Sequence, residues 1–294
     1  MIVSRRLLLG AAVVLAGSGS YLLGRSTPKE DTIADPDAYA AKLGRQQGLT
    51  IGFGDPSTFY VPPYLPADAP VEGVALSPAD RTAVKDSLHG IAKAFEAYPE
   101  QCLGRIIKAI FIAGKILIDG AEAGGTYGLD WIFLAAPSNV SAETRRLTAE
   151  LGVHHETSSF IWLRNDALQR AFTALEPADW QFQNSATDQI ARNGQTAPPV
   201  ETGFLSAYGA TTSENDFNTY AEIAFSDPGR LIKLAESVPV IAKKLALTLD
   251  SYIAVDERLR ETFARNDLLS LHLEIVPSFT AVQVRLSESC PGLS

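Results

Sequence analysis

The sequence of 294 residues is poor in cysteine, in histidine and in basic side chains. Two cysteines cannot build a disulfide scaffold or a four-cysteine zinc site. Only 25 Lys and Arg residues stand against 34 Asp and Glu, and the formal charge of −9 argues against nucleic-acid binding, which needs a basic surface. With 46% hydrophobic and 20% charged residues, the chain is too apolar for a disordered protein. What remains is an acidic globular protein with four histidines.

Residues 1–25 have the layout of an export signal. Arg5 and Arg6 precede an uncharged, mostly apolar stretch over 7–23, with small residues near its end. The run Ser4-Arg5-Arg6-Leu7-Leu8-Leu9 resembles the bacterial twin-arginine signal; an ordinary secretion signal and an uncleaved anchor are the alternatives. The stretch is at the lower limit of the about 17–25 residues that cross a bilayer. We expect an exported bacterial protein, periplasmic or anchored in the inner membrane facing the periplasm, with membrane contact only through residues 7–23 if they are retained.

Beyond the signal, the sequence predicts a linker and extended segment over 26–75 and one domain over 76–294. A helix is expected from Ser77, β-branched strands follow it, and a second helix begins near Ser141. Periodicity then favours helices at 214–226, 228–236, 239–249 and 255–265. The predicted fold class is therefore α+β, with a small sheet packed on the second helix and a mostly helical second half.

The two cysteines pose a question of redox state. Outside the cytoplasm, Cys102 and Cys290 can form a disulfide that closes a very long loop. Two unpaired, buried thiols are the alternative. The sequence leaves both open.

The helix that begins near Ser141 carries the run His154-His155-Glu156-Thr157-Ser158-Ser159. In a His-Glu-x-x-His zinc peptidase, two histidines four residues apart bind one metal, and the glutamate accepts a proton from the attacking water. His155 and Glu156 fill the first two positions, but Ser159 replaces the second histidine. A hydroxyl is a poor zinc ligand beside imidazole. His154 lies about 100° round the helix from His155, so both can ligate one metal only if the helix distorts.

A second motif lies downstream, in the segments Gly203-Phe204-Leu205-Ser206-Ala207-Tyr208-Gly209 and Glu214-Asn215-Asp216-Phe217-Asn218-Thr219-Tyr220-Ala221-Glu222. Together with the first motif it resembles the signatures of zinc-binding metallopeptidases of the gluzincin type, and of the lethal-factor-like group within them. The resemblance covers roughly residues 105–230. The departures are Ser159 and a variation before Ala221-Glu222.

The resemblance implies a zincin-like metallopeptidase domain that uses zinc. His155 and Glu222 would be the metal ligands, Glu156 the general base and Tyr208 a donor that stabilises an oxyanion. An edge strand near Tyr127–Leu134 would align a peptide substrate by strand addition.

Two functions follow, and the sequence leaves both open. The first is a zinc-dependent peptidase that hydrolyses peptide bonds with metal-activated water. The second is a catalytically inactive pseudopeptidase that binds or scaffolds a cell-envelope protein. His155, Glu156 and Glu222 favour the first function, whereas Ser159 favours the second.

Overall fold

The computed structural model describes residues 33–59, 71–75, 81–118, 120–183 and 185–270. They form a mixed α+β structure, which confirms the predicted class. The helices are α1 (Pro36–Gln47), α2 (Pro56–Phe59), α3 (Arg81–Phe95), α4 (Ala142–Leu163), α5 (Asp166–Thr173), α6 (Ala186–Ala191), α7 (Ser213–Ser226), α8 (Pro228–Ser237), α9 (Pro239–Val255) and α10 (Leu259–Arg265). In the part of the chain that is described, no helix combines the length and apolar character needed to cross a membrane.

The strands of the described ranges form two sheets. They are β1 (Thr50–Phe53), β2 (Val71–Val74), β3 (Ala109–Ala113), β4 (Lys115–Ile118), β5 (Ala121–Ala123), β6 (Gly125–Tyr127) and β7 (Trp131–Ala135). The main sheet has the order β1-β3-β7-β6, with β6 antiparallel to β7 and the other pairs parallel. The small sheet, β2-β4-β5, is antiparallel.

The main sheet is covered on both faces. Along β3, Ile110 and Ile112 pack into the core that contains the helices, whereas Phe111 and Ala113 pack into a second cluster with apolar residues of the small sheet. A strand buried on both faces needs apolar side chains at every position. This explains why β3 and β7 appear in the sequence as uninterrupted apolar runs.

The stretch 26–75, expected to be a linker and extended chain, contains a helix and a strand of the main sheet. The Asp35 side chain accepts a hydrogen bond from the Ala38 amide, and Pro36 begins α1. Gly48 ends it with a φ of 71°, a left-handed conformation that glycine adopts without strain. β1 follows and pairs with β3. These residues therefore belong to the folded body.

β6 is one of the two edge strands of the main sheet, and this corrects the expected edge near Tyr127–Leu134. The chain reverses after Tyr127, where the Gly128 amide donates to the Trp131 carbonyl at 2.9 Å. β7 then pairs with β3 on one side and with β6 on the other, so it is an inner strand. Of the stretch expected to form an edge, only the part in β6 therefore lies at an edge of the main sheet.

Helix α4 lies between the main sheet and the other helices. The Ser141 side chain accepts a hydrogen bond from the Thr144 amide, so α4 begins where the sequence predicted. The helix packs mainly on α3 and α7, and it also contacts β6 and β7. The approach to α3 is close at Gly90, where an added Cβ would stand 2.1 Å from the Arg146 carbonyl oxygen. Glycine is required there.

Some expectations lie outside the described residues. They include the export signal over 1–25, the helix start at Ser77 and the partner cysteine, Cys290. Cys102 is buried, and burial, with a smaller contribution from Asp256, raises the pKa of its thiol to about 12. The pairing of Cys102 with Cys290 stays open.

Candidate functional site

The centre of α4 is a run of buried polar side chains. From His154 to Ser159, none of the six residues is more than 1% exposed. Burying a polar group costs free energy unless it finds a partner, so a helix that served only packing would place apolar residues here. The run is therefore the first place to look for chemistry.

His154 faces an aromatic stack. Its Nδ1 lies 3.0 Å from the Tyr98 hydroxyl. Its ring stacks on Phe225 at 4.8 Å between centroids and on Tyr98 at 5.5 Å. These contacts account for His154 as a packing residue. The helix is continuous through this region, so His154 is not turned towards a metal bound by His155.

His155 and Glu222 are brought together across α4 and α7. Nδ1 of His155 forms a hydrogen bond with Oε1 of Glu222. Nε2 of the same ring is buried and has no hydrogen-bond partner. Burial by itself lowers the pKa of His155, but Glu222, Glu156 and Glu214 together raise it above its usual value. Glu222, whose side chain is 18% exposed, lies at the side of the cluster that reaches solvent.

Glu156 is fully buried, and neither carboxylate oxygen has a hydrogen-bond partner. Burial raises its pKa to about 8; His155 opposes this shift, and Glu214 and Glu222 add to it. The carboxylate lies against the edge strand, because a Cβ added to Gly125 would stand 2.8 Å from its Oε1. Among the described residues, Glu156 is the only acid with both oxygens buried and unpartnered.

Tyr208 lies beside this group of acids. Its ring centroid is 5.8 Å from that of His155. Burial and the charges of Glu156, Glu214 and Glu222 raise the pKa of its hydroxyl well above the usual value. The hydroxyl therefore keeps its proton and can act as a hydrogen-bond donor.

Ser159, at the position of the missing histidine, is held by a polar contact with α7. Its Oγ accepts a hydrogen bond from Asn218 Nδ2 at 2.9 Å. Burial raises the pKa of the neighbouring Glu214, and the Ser159 hydroxyl is among the groups that oppose this rise. Glu214 accepts a hydrogen bond from the Tyr127 hydroxyl at 2.8 Å. Sequence reasoning missed Glu214, Asn218 and Tyr127 as members of the site. Positions 214, 218 and 222 recur every four residues on α7, and this spacing was the available signal.

The cluster has unpartnered atoms that a cation could bind, but it lacks a complete set of ligands. Buried nitrogen and carboxylate oxygens without partners, at His155 and Glu156, are the atoms that a cation would satisfy. Within the described ranges, however, no group of three or more His, Cys, Asp or Glu side chains stands ready as a metal site. The two ligands expected from the sequence, His155 and Glu222, contact each other instead. Ser159 supplies no third strong ligand.

An open groove of about 750 Å³ lies elsewhere, between α1, β1 and Lys108. Asp37, Arg45 and residues of β1 line it, and none of the cluster residues does. Catalytic sites are recognised by convergent chemistry as well as by concavity. The cluster on α4 and α7 is therefore the better candidate site.

Comparisons of the chain with protein-family models, with curated proteins and with solved structures find no significant match. The function of the chain is therefore inferred from the residues and contacts described above.

Proposed function

We propose that the chain is an exported, zincin-like, zinc-dependent peptidase. The observation that carries this proposal is the buried Glu156 carboxylate without a partner, next to the unpartnered Nε2 of His155. A folded chain seldom leaves such groups unsatisfied, and functional sites are where the exceptions concentrate. The motif and the resemblance support the same residues independently of the geometry.

His155 and Glu222 are the residues that would hold zinc. When bound, the metal would polarise the peptide carbonyl and activate water. Glu156 would take a proton and return it to the leaving amine. Its burial, which raises its pKa towards neutral pH, suits that exchange.

Two further parts of the site would act on the substrate. Tyr208, with its hydroxyl protonated, would donate a hydrogen bond to the developing oxyanion. The free side of β6 would pair with an extended peptide and place it beside Glu156. The signal over 1–25 supports a periplasmic or inner-membrane-anchored location, with peptides or cell-envelope proteins as substrates.

Metal content and peptide hydrolysis test the proposal together. We expect the purified, tag-free protein to contain stoichiometric zinc by elemental analysis, and His155→Ala and Glu222→Ala to lose it. Glu156→Gln should retain zinc but lose hydrolysis of a peptide library. A wild-type protein without metal under zinc-replete conditions would exclude the peptidase, and activity in Glu156→Gln would remove Glu156 from the mechanism.

The second candidate function is a pseudopeptidase that binds a cell-envelope protein. Ser159 favours it, because a hydroxyl is a weak metal ligand and this one already accepts a hydrogen bond from Asn218. A metal-free wild-type protein whose stability does not respond to zinc would support this candidate.

A further inference from the structure

We propose that the groove between α1 and β1 is a docking site for an extended, acidic segment of a partner protein, which adds to the main sheet as a strand beside β1. Among the described residues, an open strand edge, a half-buried apolar floor and two cations without a carboxylate carry this inference. It does not depend on the proposed peptidase, because none of the residues of the cluster on α4 and α7 lines the groove.

β1 lies at the second edge of the main sheet. In the described ranges, β3 is the only strand that pairs with it. The Thr50 amide donates to the Lys108 carbonyl at 2.9 Å, so Thr50 directs its backbone groups towards β3. Successive residues of a strand direct these groups to opposite sides, and those of Ile51 therefore face the open edge. An open edge of this kind is a template for an added strand.

α1 forms the opposite wall of the groove with small side chains, which are those of Ala40, Ala41 and Gly44. A Cβ added to Gly44 would stand 2.5 Å from the Leu49 carbonyl oxygen and 3.8 Å from the Ile51 amide nitrogen. This face of α1 is therefore opposite the edge of β1, and the two walls are closest near Leu49. Small side chains on the helix leave the groove, of about 750 Å³, open beside the strand.

The floor of the groove is apolar and only partly covered. Leu49, Ile51 and Phe53 pack against the main core, yet each is half-buried. In the same sheet, β3 and β7 are buried at every position. A segment that lies beside β1 would remove this apolar surface from water, which favours binding.

The two ends of the groove differ in charge. Arg45, in the last turn of α1, and Lys108, beside the start of β1, line one end, whereas Asp37 lies in the first turn of α1. Within the described part of the chain, no carboxylate forms an ion pair with either cation. Both are therefore available to acidic side chains of an occupant, at the end of the groove where β1 begins.

Selection from a displayed library of short random peptides tests the proposal on the full-length protein, with chelator present to prevent metal-dependent cleavage. We expect the selected peptides to share acidic side chains at one end and alternating apolar residues. Synthetic copies, measured by fluorescence anisotropy, should bind at least about tenfold more weakly to the double variant Arg45→Glu/Lys108→Glu. Lys42→Glu/Lys243→Glu makes the same change in net charge at exposed positions outside the groove and should bind as wild type.

Strand addition has a test of its own. Ile51→Pro removes the amide donor that faces the groove, and proline is tolerated in an edge strand where the N–H points outwards. We expect about fivefold weaker peptide binding, with circular dichroism to verify the fold. N-methylation of the peptide tests the same bonds on unchanged wild-type protein. Methyl groups on one alternate set of residues should weaken binding, and those on the other set should not.

Three results would each overturn the proposal. The first is a selection that enriches no peptide. The second is a set of peptides whose affinity is unchanged by the double variant or by N-methylation. The third is a dimer in analytical ultracentrifugation that Ile51→Pro dissociates, because a second copy of the chain would then occupy the edge. None of these results bears on the proposed peptidase, whose test is its metal content.

Discussion

The first turn of α4 and its centre both bury charged groups, but they satisfy them in opposite ways. At the first turn, Asp86 of α3 accepts hydrogen bonds on Oδ2 from Arg145 Nε and Nη2, at 3.0 and 2.8 Å, and on Oδ1 from Arg146 Nε at 3.2 Å. At the centre, Glu156 accepts none. The two acids are about equally buried. Burial alone therefore does not set Glu156 apart from Asp86, whereas the lack of a partner does, and the role proposed for Glu156 rests on that difference.

The side of α7 that packs on α9 gives a second structural example. Lys244 Nζ lies 2.5 Å from Asp216 Oδ2, and both side chains are fully buried. The ammonium is also 4.7 Å from the centroid of Phe204 and 5.2 Å from that of Phe172. Such contacts compensate part of the cost of burying the charge. This chain can pair its buried charges, which makes the unpaired Glu156 more informative.

The largest effect should come from breaking the pair at the first turn of α4. Asp86→Ala leaves Arg145 buried without its carboxylate, and we expect a loss of about 3–5 kcal/mol in the free energy of unfolding. Urea denaturation followed by circular dichroism measures it. Glu143→Ala, at an exposed position of the same helix, is the control and should cost less than about 1 kcal/mol. A loss below about 1 kcal/mol in Asp86→Ala would mean that the carbonyls near Arg145 suffice to hold it.

Glu156→Gln should stabilise the folded protein, whereas Asp86→Ala destabilises it. Burial raises the pKa of Glu156 from 4.5 to about 8, so the folded state keeps a proton that the unfolded state releases. The stability of the metal-free wild type should therefore fall as pH rises from about 4.5 to 8. Glutamine removes this dependence, so the stabilisation by Glu156→Gln should be roughly 3–4 kcal/mol larger at pH 8 than at pH 5. Urea denaturation of both proteins in chelator measures the difference.

Glu150→Gln, the same change at another buried position of this helix, is the control for Glu156→Gln. Parallel pH profiles for wild type and Glu156→Gln would contradict the prediction. They would mean that Glu156 is ionised in the folded protein, and the contrast with Asp86 would then be lost.

Local signals in the sequence predicted much of the second half of the fold. Ser141 as a cap placed the start of α4, and the expected helices from 214 onwards correspond to α7–α10. The first helix, α1, was missed although Asp35, Pro36 and Gly48 are ordinary capping residues. The proline-rich composition of the surrounding segment outweighed that signal.

The candidate site was predictable only in part. The partial His-Glu-x-x-His motif predicted roles for His155 and Glu156, and the resemblance to the peptidase family added Glu222 and Tyr208. Glu214 became visible only through its hydrogen bond with Tyr127, which lies on a strand far away in sequence. Tertiary contacts of that range leave no periodic trace in one sequence. The four-residue spacing on α7 was the one local sign, and it does not separate a site face from a packing face.

The smallest effect should come from Asp256, a buried structural acid directly after α9. Its carboxylate accepts hydrogen bonds from Arg258 Nη2 and Nε at 2.6 and 2.9 Å, and these bonds lower its pKa below the usual 3.8. Its contribution to stability is therefore present above about pH 4 and lost as pH falls through the lowered pKa, the reverse of Glu156. We expect Asp256→Asn to cost about 1 kcal/mol at pH 7, because Arg258 is half exposed and keeps water as an alternative partner.

Urea denaturation of wild type and Asp256→Asn at pH 7 and near pH 3 tests both the size and the sign of this effect. The difference between the two proteins should shrink at the lower pH, where the wild-type carboxyl group also becomes neutral. Glu257→Gln, next in the chain and exposed, is the control. If the difference stays constant with pH, Asp256 acts through neutral hydrogen bonds alone. The change of unfolding free energy with pH would then not reveal an acid that has charged partners. The opposite change expected for Glu156 would in that case no longer distinguish it from a structural acid.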